Sequence, residues 1–403
     1  MNIFVVNAGS SSIKYQLFKY PSENPICSGL VERIGLKNAI ITHKIFSEDS
    51  EEAIKKTMEL PDHEAGLIEV TKLLTDPTIG VIQNPDEIEV VGHRVVHGGE
   101  SFAATTIITN KVKEEIKKLF SLAPLHNPSN YLGIEVAERI FTKAKQIAVF
   151  DTAFHQTMPE KAYRYAIPNK FYTDLRIRAY GFHGTSHKYV TERAIEHLKK
   201  PDAKIITVHL GNGCSMAAVD AGKSIDTTMG FGPLSGLIMG TRSGDIDPSV
   251  IFHLINQCGY LPDEVNNLLN KKSGMLGMTG FSDMRDITQA MNQGSQEAAI
   301  AYDMYAYRIK KYIGAYAAIL NGLDAVVFTA GVGENDVKIR ELVCQDMEFL
   351  GITIDVDENE KRSESLREIS KPDARVKVLV IPTNEEVEIV RQCVELLGKK
   401  VPL

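Results

Sequence analysis

No stretch of the 403-residue chain approaches the ~20 consecutive apolar residues that crossing a bilayer requires. There is no excess of positive charge either: 45 Lys and Arg stand against 52 Asp and Glu, a net charge of -7. That balance argues against nucleic acid or an anionic membrane as partner, since both call for a basic face. The N-terminal MNIFVVNAGSSSIKY has no charged leader followed by a long apolar core, so a signal peptide is not expected and the segment reads as a strand. The five cysteines, Cys27, Cys214, Cys258, Cys344 and Cys393, show neither CxxC nor a Cys/His metal spacing. Reduced thiols and a cytoplasmic location are the expectation. A Walker loop is missing as well. Gly222-Lys223-Ser224 looks like its tail, but Ala217 occupies the position of the leading glycine.

What is present is an ordinary globular composition, 43% hydrophobic and 24% charged, in a chain too long for one core. Residues 2–7 are apolar and β-branched, Gly9 and three serines break the run, and 13–18 alternate as a return strand. A helical stretch is expected over 51–74, a strand over 87–92, a helix over 128–143 and a buried strand over 146–151. The opening pattern returns at 204–228, as strand, Gly-rich turn, strand, Ala-Gly turn and strand. Two α/β domains of one fold follow from that repeat, with a boundary near residue 150. A helix over 297–320 stopped by Asn321-Gly322, a strand over 324–331, a strand over 376–383 and a final helix from Glu385 complete the reading.

Two small-residue turns, NAGSSS at 7–12 and HLGNG at 209–213, follow apolar strands. Such turns let backbone N–H groups approach phosphate oxygens, although a plain hairpin turn has the same composition. A third Gly turn, FTAGVGEN at 328–335, could lie flat against a nucleoside, with Asp283-Met284-Arg285 closing the other side. Arg94 in GHRVVHGGE and Arg242 in GTRSGDIDP sit in glycine-bracketed loops. The planar guanidinium fork suits a carboxylate or phosphate there. His126 and His183 lie beside Pro or Gly, and a lone histidine of that kind is more often structural than functional. His183 and His187 have helical metal spacing but no evident third ligand. Asp151 ends a strand at the edge where α/β sites are built. Thr383 and Glu386 form a Thr-x-x-Glu capping pattern, which leaves Glu385 as the carboxylate available to a metal, with Asn7 offering a neutral oxygen.

With NAGSSSIKY, GHRVVHGGE, FDTAFH, GFHGTSH, HLGNG, TRSGDIDP and GVGEN all in order along the chain, the sequence closely resembles the acetate kinase family. The resemblance implies two RNase H-like domains of the actin-like ATPase superfamily with a central nucleotide cleft, the first formed by 1–150 plus 387–403 and the second by 151–386. It implies reversible transfer of a phosphoryl group from ATP to acetate, giving acetyl phosphate and ADP, with Mg²⁺ (or Mn²⁺ in its place) and a homodimer. On the matching positions, Arg94 looks like the group that binds the acid, and Arg242 with His183 like the pair on the transferring phosphoryl group. Asp151 and His126 fall in the catalytic set, Asn7 and Glu385 at the metal. Val96, Leu125, Phe182 and Pro233 stand where the family has a methyl pocket. Lys14, His209, Leu210, Gly211, Asn212, Gly213, Asp283, Met284, Arg285, Gly331, Val332, Gly333, Glu334 and Asn335 match its nucleotide segments. One departure stands out: Cys214 follows HLGNG where alanine is expected.

Charge then sets the expected mechanism. The acid is ionised at neutral pH and needs no general base, so the barrier is the meeting of two anions. Positive groups aimed at the equatorial phosphoryl oxygens should do most of the catalysis. Asp151 is accordingly expected to orient Arg94 or Arg242 and not to carry a proton. A propionate or butyrate kinase of the same family is the alternative, because one methylene is worth only ~1–3 kcal/mol in an apolar pocket. A non-kinase ATPase of the same fold is more remote.

Overall fold

Ile3 to Val6 are buried on both faces, which is what a central strand with covered faces requires. In the computed structural model, which describes residues 1–47 and 50–399, this segment is the middle of the first of two sheets. The chain divides into two compact units, Met1–Phe154 with Asn384–Leu403, and His155–Thr383. The last four residues of the expected 387–403 segment lie outside the described residues.

The first unit contains β1 (Asn2–Ala8), β2 (Ser12–Lys19), β3 (Pro25–Glu32), β4 (Ala39–Phe46), β5 (Glu51–Met58), β6 (Ile88–Val95), β7 (Thr106–Ile107) and β8 (Lys145–Phe150), in the sheet order β5-β4-β3-β2-β1-β6-β8-β7. The second contains β9 (Lys204–Leu210), β10 (Cys214–Asp220), β11 (Lys223–Thr227), β12 (Ala325–Thr329), β13 (Arg367–Glu368) and β14 (Lys377–Val380), in the order β11-β10-β9-β12-β14-β13. The two sheets share one plan. An antiparallel meander, β3-β2-β1 or β11-β10-β9, is followed by two parallel strands and a short antiparallel edge. This is the duplicated α/β fold that the repeated sequence pattern implied.

Three expectations need correction. Residues 51–58 are a strand and not helix; they pair with β4 from Ala39↔Met58 to Phe46↔Glu51. Their side chains are almost all exposed, so edge pairing of the backbone decides the conformation and no apolar period announces it. The helix begins at His63, capped by Asp62, whose carboxylate accepts from the Ala65 N–H at 2.8 Å. The GVGEN segment is not an open turn: Ala330–Asn335 is a short helix that starts as β12 ends. The last helix, Glu385–Leu396, is capped by Asn384, whose side chain accepts from the Val387 N–H. Thr383 instead bonds Ser186 Oγ at 2.8 Å, and Glu386 pairs with Lys14. Asparagine one residue later is a better cap than threonine and wins the position.

That last helix packs on the first sheet. A Cβ on Gly92 of β6 would stand 2.7 Å from Ile389 and 3.1 Å from Cys393, so only glycine admits the helix at this distance. Among the described residues no helix is long and apolar enough to cross a membrane.

Buried histidines, His43 and His93 among them, tie the first unit's stability to pH. His43 bonds Tyr15 Oη through Nδ1 at 2.7 Å, and His93 bonds Gln146 at 2.7 Å. Burial lowers both rings to about 4, helped at His43 by Lys56 and opposed at His93 by the Gln146 bond. Unfolded, each ring titrates near 6.5, so below that pH the unfolded chain binds more protons and stability declines until about pH 4. Melting temperature should therefore fall between about pH 7 and about pH 5, with a shallower slope in His93→Gln. A flat or rising profile would contradict this account.

Candidate active site

In the first unit β6 carries Arg94 and β8 ends one residue before Asp151. Because the strands are parallel neighbours, the two side chains leave the same sheet edge. Arg94 Nε and Nη2 donate to Asp151 Oδ2 at 3.0 and 2.6 Å. Asp151 is 2% exposed at the side chain and Arg94 19%. Glu385, at the start of the last helix, brings Oε2 to 3.8 Å from Arg94 Nε. Burial alone would lower the Arg94 pKa, but Asp151 and then Glu385 more than offset it, so the guanidinium is held charged. Burial pushes the Glu385 carboxyl upward, with Arg94 opposing and the neighbouring Asp151 and Glu386 adding to the rise. The Asp151 contact uses one edge of the Arg94 fork, and Nη1 donates to no protein group among the described residues.

Around this pair, Val96 N–H donates to Asn130 Oδ1 at 3.0 Å. Leu125 is 59% exposed, and His126 is the residue that opens the helix Asn127–Ile140. Asn7 is the penultimate residue of β1. Lys14, expected among the nucleotide contacts, pairs with Glu386 at 2.5 Å and does not line the pocket described below.

In the second unit His183 caps the helix Gly184–Leu198 from the left-handed region, at φ 57 and ψ 23. A non-glycine residue there is uncommon and requires its surroundings to hold it. Its Nδ1 meets Ser215 Oγ at 2.8 Å, and its ring stacks on His209 at 4.3 Å between centroids. His187 reaches the same Ser215 hydroxyl through Nε2 at 2.8 Å and reaches Thr207 Oγ1 through Nδ1 at 2.7 Å. Burial, then His155 and His209, lowers its pKa, so the ring is neutral. The helical spacing of His183 and His187 thus serves a shared serine.

Arg242 is different in kind from Arg94. Its Nη1 donates to the Pro233 carbonyl at 3.0 Å and faces Met239 Sδ at 3.7 Å, and no carboxylate pairs with it among the described residues. Burial lowers its pKa, with the Cys214 thiol opposing weakly. A Cβ on Gly213 would lie 3.4 Å from His183 Cε1 and 3.6 Å from Arg242 Nη1, so an imidazole and a guanidinium converge on one glycine of the HLGNG turn. Phe182, which precedes His183, is buried, and its carbonyl meets His155 Nε2 at 3.0 Å.

Beyond the turn opens a pocket of about 1020 Å³, lined by Gly211, Asn212, Asp283, Met284, Arg285, Gly331, Val332 and Asn335. Three segments far apart in sequence meet there. His209, Leu210, Gly213, Gly333 and Glu334 belong to the same segments but do not line it. Sequence reading missed Gly240, Thr288, Tyr305, Lys338 and Arg362 on the same wall. Tyr305 and Thr288 face it from helices and carry no motif. Cys214, where alanine was expected, sits behind it and is fixed by Tyr305 Oη at 3.1 Å.

The acetokinase family profile matches residues 2–391. The chain belongs to that family. It is 57% identical over 397 residues to the acetate kinase of Flavobacterium johnsoniae, covering 98% of this chain and 100% of that one. The crystal structure of Porphyromonas gingivalis acetate kinase superposes with a TM-score of 0.93 at 44% identity, over 98% of this chain and 99% of that one. A propionate kinase from Francisella tularensis gives 0.90 at 40%, over 97% and 98%. Acetokinase membership and the duplicated sheets agree on the fold class.

The two arginines should respond oppositely to removal. Arg94→Met removes the two guanidinium hydrogen bonds to the buried Asp151 carboxylate and should destabilise the chain by roughly 1–3 kcal/mol. Arg242→Met removes a buried cation that no carboxylate among the described residues compensates, so melting temperature without ligands should hold or rise. A loss of stability in Arg242→Met as large as that in Arg94→Met would contradict the assignment.

Proposed function

We propose that this acetokinase-family chain transfers a phosphoryl group reversibly between ATP and acetate, by direct in-line displacement. The observation that carries the reading is Arg242: a mostly buried guanidinium with no carboxylate partner among the described residues, converging with His183 on the Gly213 turn. Burying an unpaired charge is costly, and an anion that brings the missing negative charge recovers that cost. The equatorial oxygens of a transferring phosphoryl group are such an anion, and their charge is best met in the transition state.

Arg94 holds the acid carboxylate through the fork edge that Asp151 leaves open, and Asp151 sets the guanidinium plane. Val96, Leu125, Phe182 and Pro233 are proposed for the methyl end, and His126 for the same reaction centre. The nucleotide occupies the pocket of the second unit, with the HLGNG and GVGEN segments as its contacts. The two units are proposed to correspond to the two domains expected from the sequence.

Glu385 and Asn7 fit a hard divalent cation. They offer oxygen donors, and the Glu385 carboxylate accepts no side-chain hydrogen bond among the described residues, its nearest cation being 3.8 Å away. When bound, Mg²⁺ (or Mn²⁺) neutralises phosphate charge, and a small donor set suits an ion that keeps most of its waters. A homodimer in the cytoplasm completes the proposal.

The test is acyl phosphate formation, trapped as hydroxamate, from acetate, propionate and butyrate. Acetate should give the highest kcat/KM, with propionate retained at a modest disadvantage. Absence of acyl phosphate from all three would overturn the reading, and a clear preference for propionate would favour the alternative kinase. Arg242→Met should lower kcat by roughly 10³ or more with nucleotide affinity little changed. Gly331 lines the pocket, and a Cβ placed on it meets no atom within 4 Å. Gly331→Leu should therefore fold normally yet raise the KM for ATP and spare that for acetate; an unaltered ATP KM would place the nucleotide elsewhere.

A further inference from the structure

β1 and β6 are parallel neighbours, but their ladder ends at Val6↔His93. Past that point Asn7 and Ala8 run on beside β2 alone, and Arg94 to Val96 run on beside β8 or into the following loop. Among the described residues no register pair of β1 and β6 lies beyond that rung, so the ladder does not extend to Ala8 and Val96. One side chain spans the gap. Asn130, 4% exposed in the first turn of the helix Asn127–Ile140, donates through Nδ2 to the Ala8 carbonyl at 2.7 Å and accepts through Oδ1 from the Val96 N–H at 3.0 Å. Its amide thus replaces the missing rung, with one donor and one acceptor used as a peptide group would use them. Asn127, fully buried, holds the next residue alone, accepting from His97 N–H at 3.0 Å and donating to its carbonyl at 2.9 Å. The helix lies hard against β1, since a Cβ on Gly133 would stand 2.7 Å from Ala8 Cβ.

We infer that Asn130 is a positioning residue that locks the metal-bearing end of β1 to the acid-binding segment after β6. Acid binding and divalent-metal binding are therefore coupled through one amide. The inference rests on the reading of Arg94, Val96 and Asn7 given above.

The experiment compares wild type with Asn130→Ala, Arg94→Ala and Ile134→Val, the last a core change on the same helix that leaves both bonds in place. Acetate KM, ATP KM, melting temperature and the Mn²⁺ dissociation constant in the presence of ADP (read by electron paramagnetic resonance) are measured for each. Asn130→Ala should raise the acetate KM and the Mn²⁺ constant together, each roughly tenfold, with ATP KM within about twofold of wild type. Ile134→Val should lower only the melting temperature. If Asn130→Ala does not fold, Asn130→Ser, too short to reach both partners, is measured against the same expectations. A fall in melting temperature alone, or equal rises in acetate and ATP KM, overturns the inference. Should Arg94→Ala leave acetate KM unaltered, the reading of the site itself falls; should Arg94→Ala raise it and Asn130→Ala not, the reading stands and the role of Asn130 falls.

Discussion

A guanidinium taken out of water has to meet negative charge, and this constraint organises the site. Arg94 meets it within the protein: Asp151 takes one edge of the fork and fixes its plane, while Glu385 stands close enough to keep the group charged. Arg242 has no such partner among the described residues and spends one Nη on a carbonyl. The first arginine is thereby suited to steady, oriented binding of an acid. The second is suited to charge that develops during a reaction, because nothing already present has to be displaced from it. Proton transfer has no necessary part, since the acceptor acid is ionised before it binds.

The duplicated sheets explain why two turns of small residues sit in matching places. Each meander puts a strand-turn-strand hairpin beside two parallel strands, and each parallel pair ends at the edge where side chains can converge. In the first unit that edge carries Arg94, Asp151 and the end of β1. In the second it carries the HLGNG turn and the short helix Ala330–Asn335, which together wall the pocket. One architectural plan, used twice, has been loaded with a carboxylate-oriented arginine in one unit and a nucleotide-sized cavity in the other.

Much of this was readable before any coordinates, for identifiable reasons. Strands β1, β6, β8, β9 and β12 are central, buried on both faces, and so appear as apolar runs. Arg94 and Arg242 were conspicuous because glycines bracket them, and the long helix because Asn321-Gly322 stops it in the left-handed conformation. The edge told less. β5 is exposed on nearly every residue, so its Glu- and Lys-rich sequence carries a helical propensity that edge pairing overrides. β3 and β4 give no sequence signal, because polar and small residues interrupt their alternation. The cap of the last helix moved by one residue because two good capping residues are adjacent. Asn127 and Asn130 were unreadable for a different reason: near a helix start, an asparagine reads as capping or solvated, and its burial against loop backbone exists only once the tertiary structure does. Tyr305 and Thr288 face the pocket from helices, where nothing in sequence distinguishes a wall from a core.

The central claim is that Asp151 acts only through Arg94, and a double-mutant cycle tests it most directly. Acetate kcat/KM would be measured for wild type, Arg94→Ala, Asp151→Asn and the double variant under one set of conditions. If Asp151 serves to orient the arginine, each single change should cost heavily and Asp151→Asn should cost almost nothing further once Arg94 is gone. If instead Asp151 carried a proton in the reaction, its replacement would lower kcat by the same large factor in both backgrounds, and the account of catalysis by positioned positive charge would be contradicted.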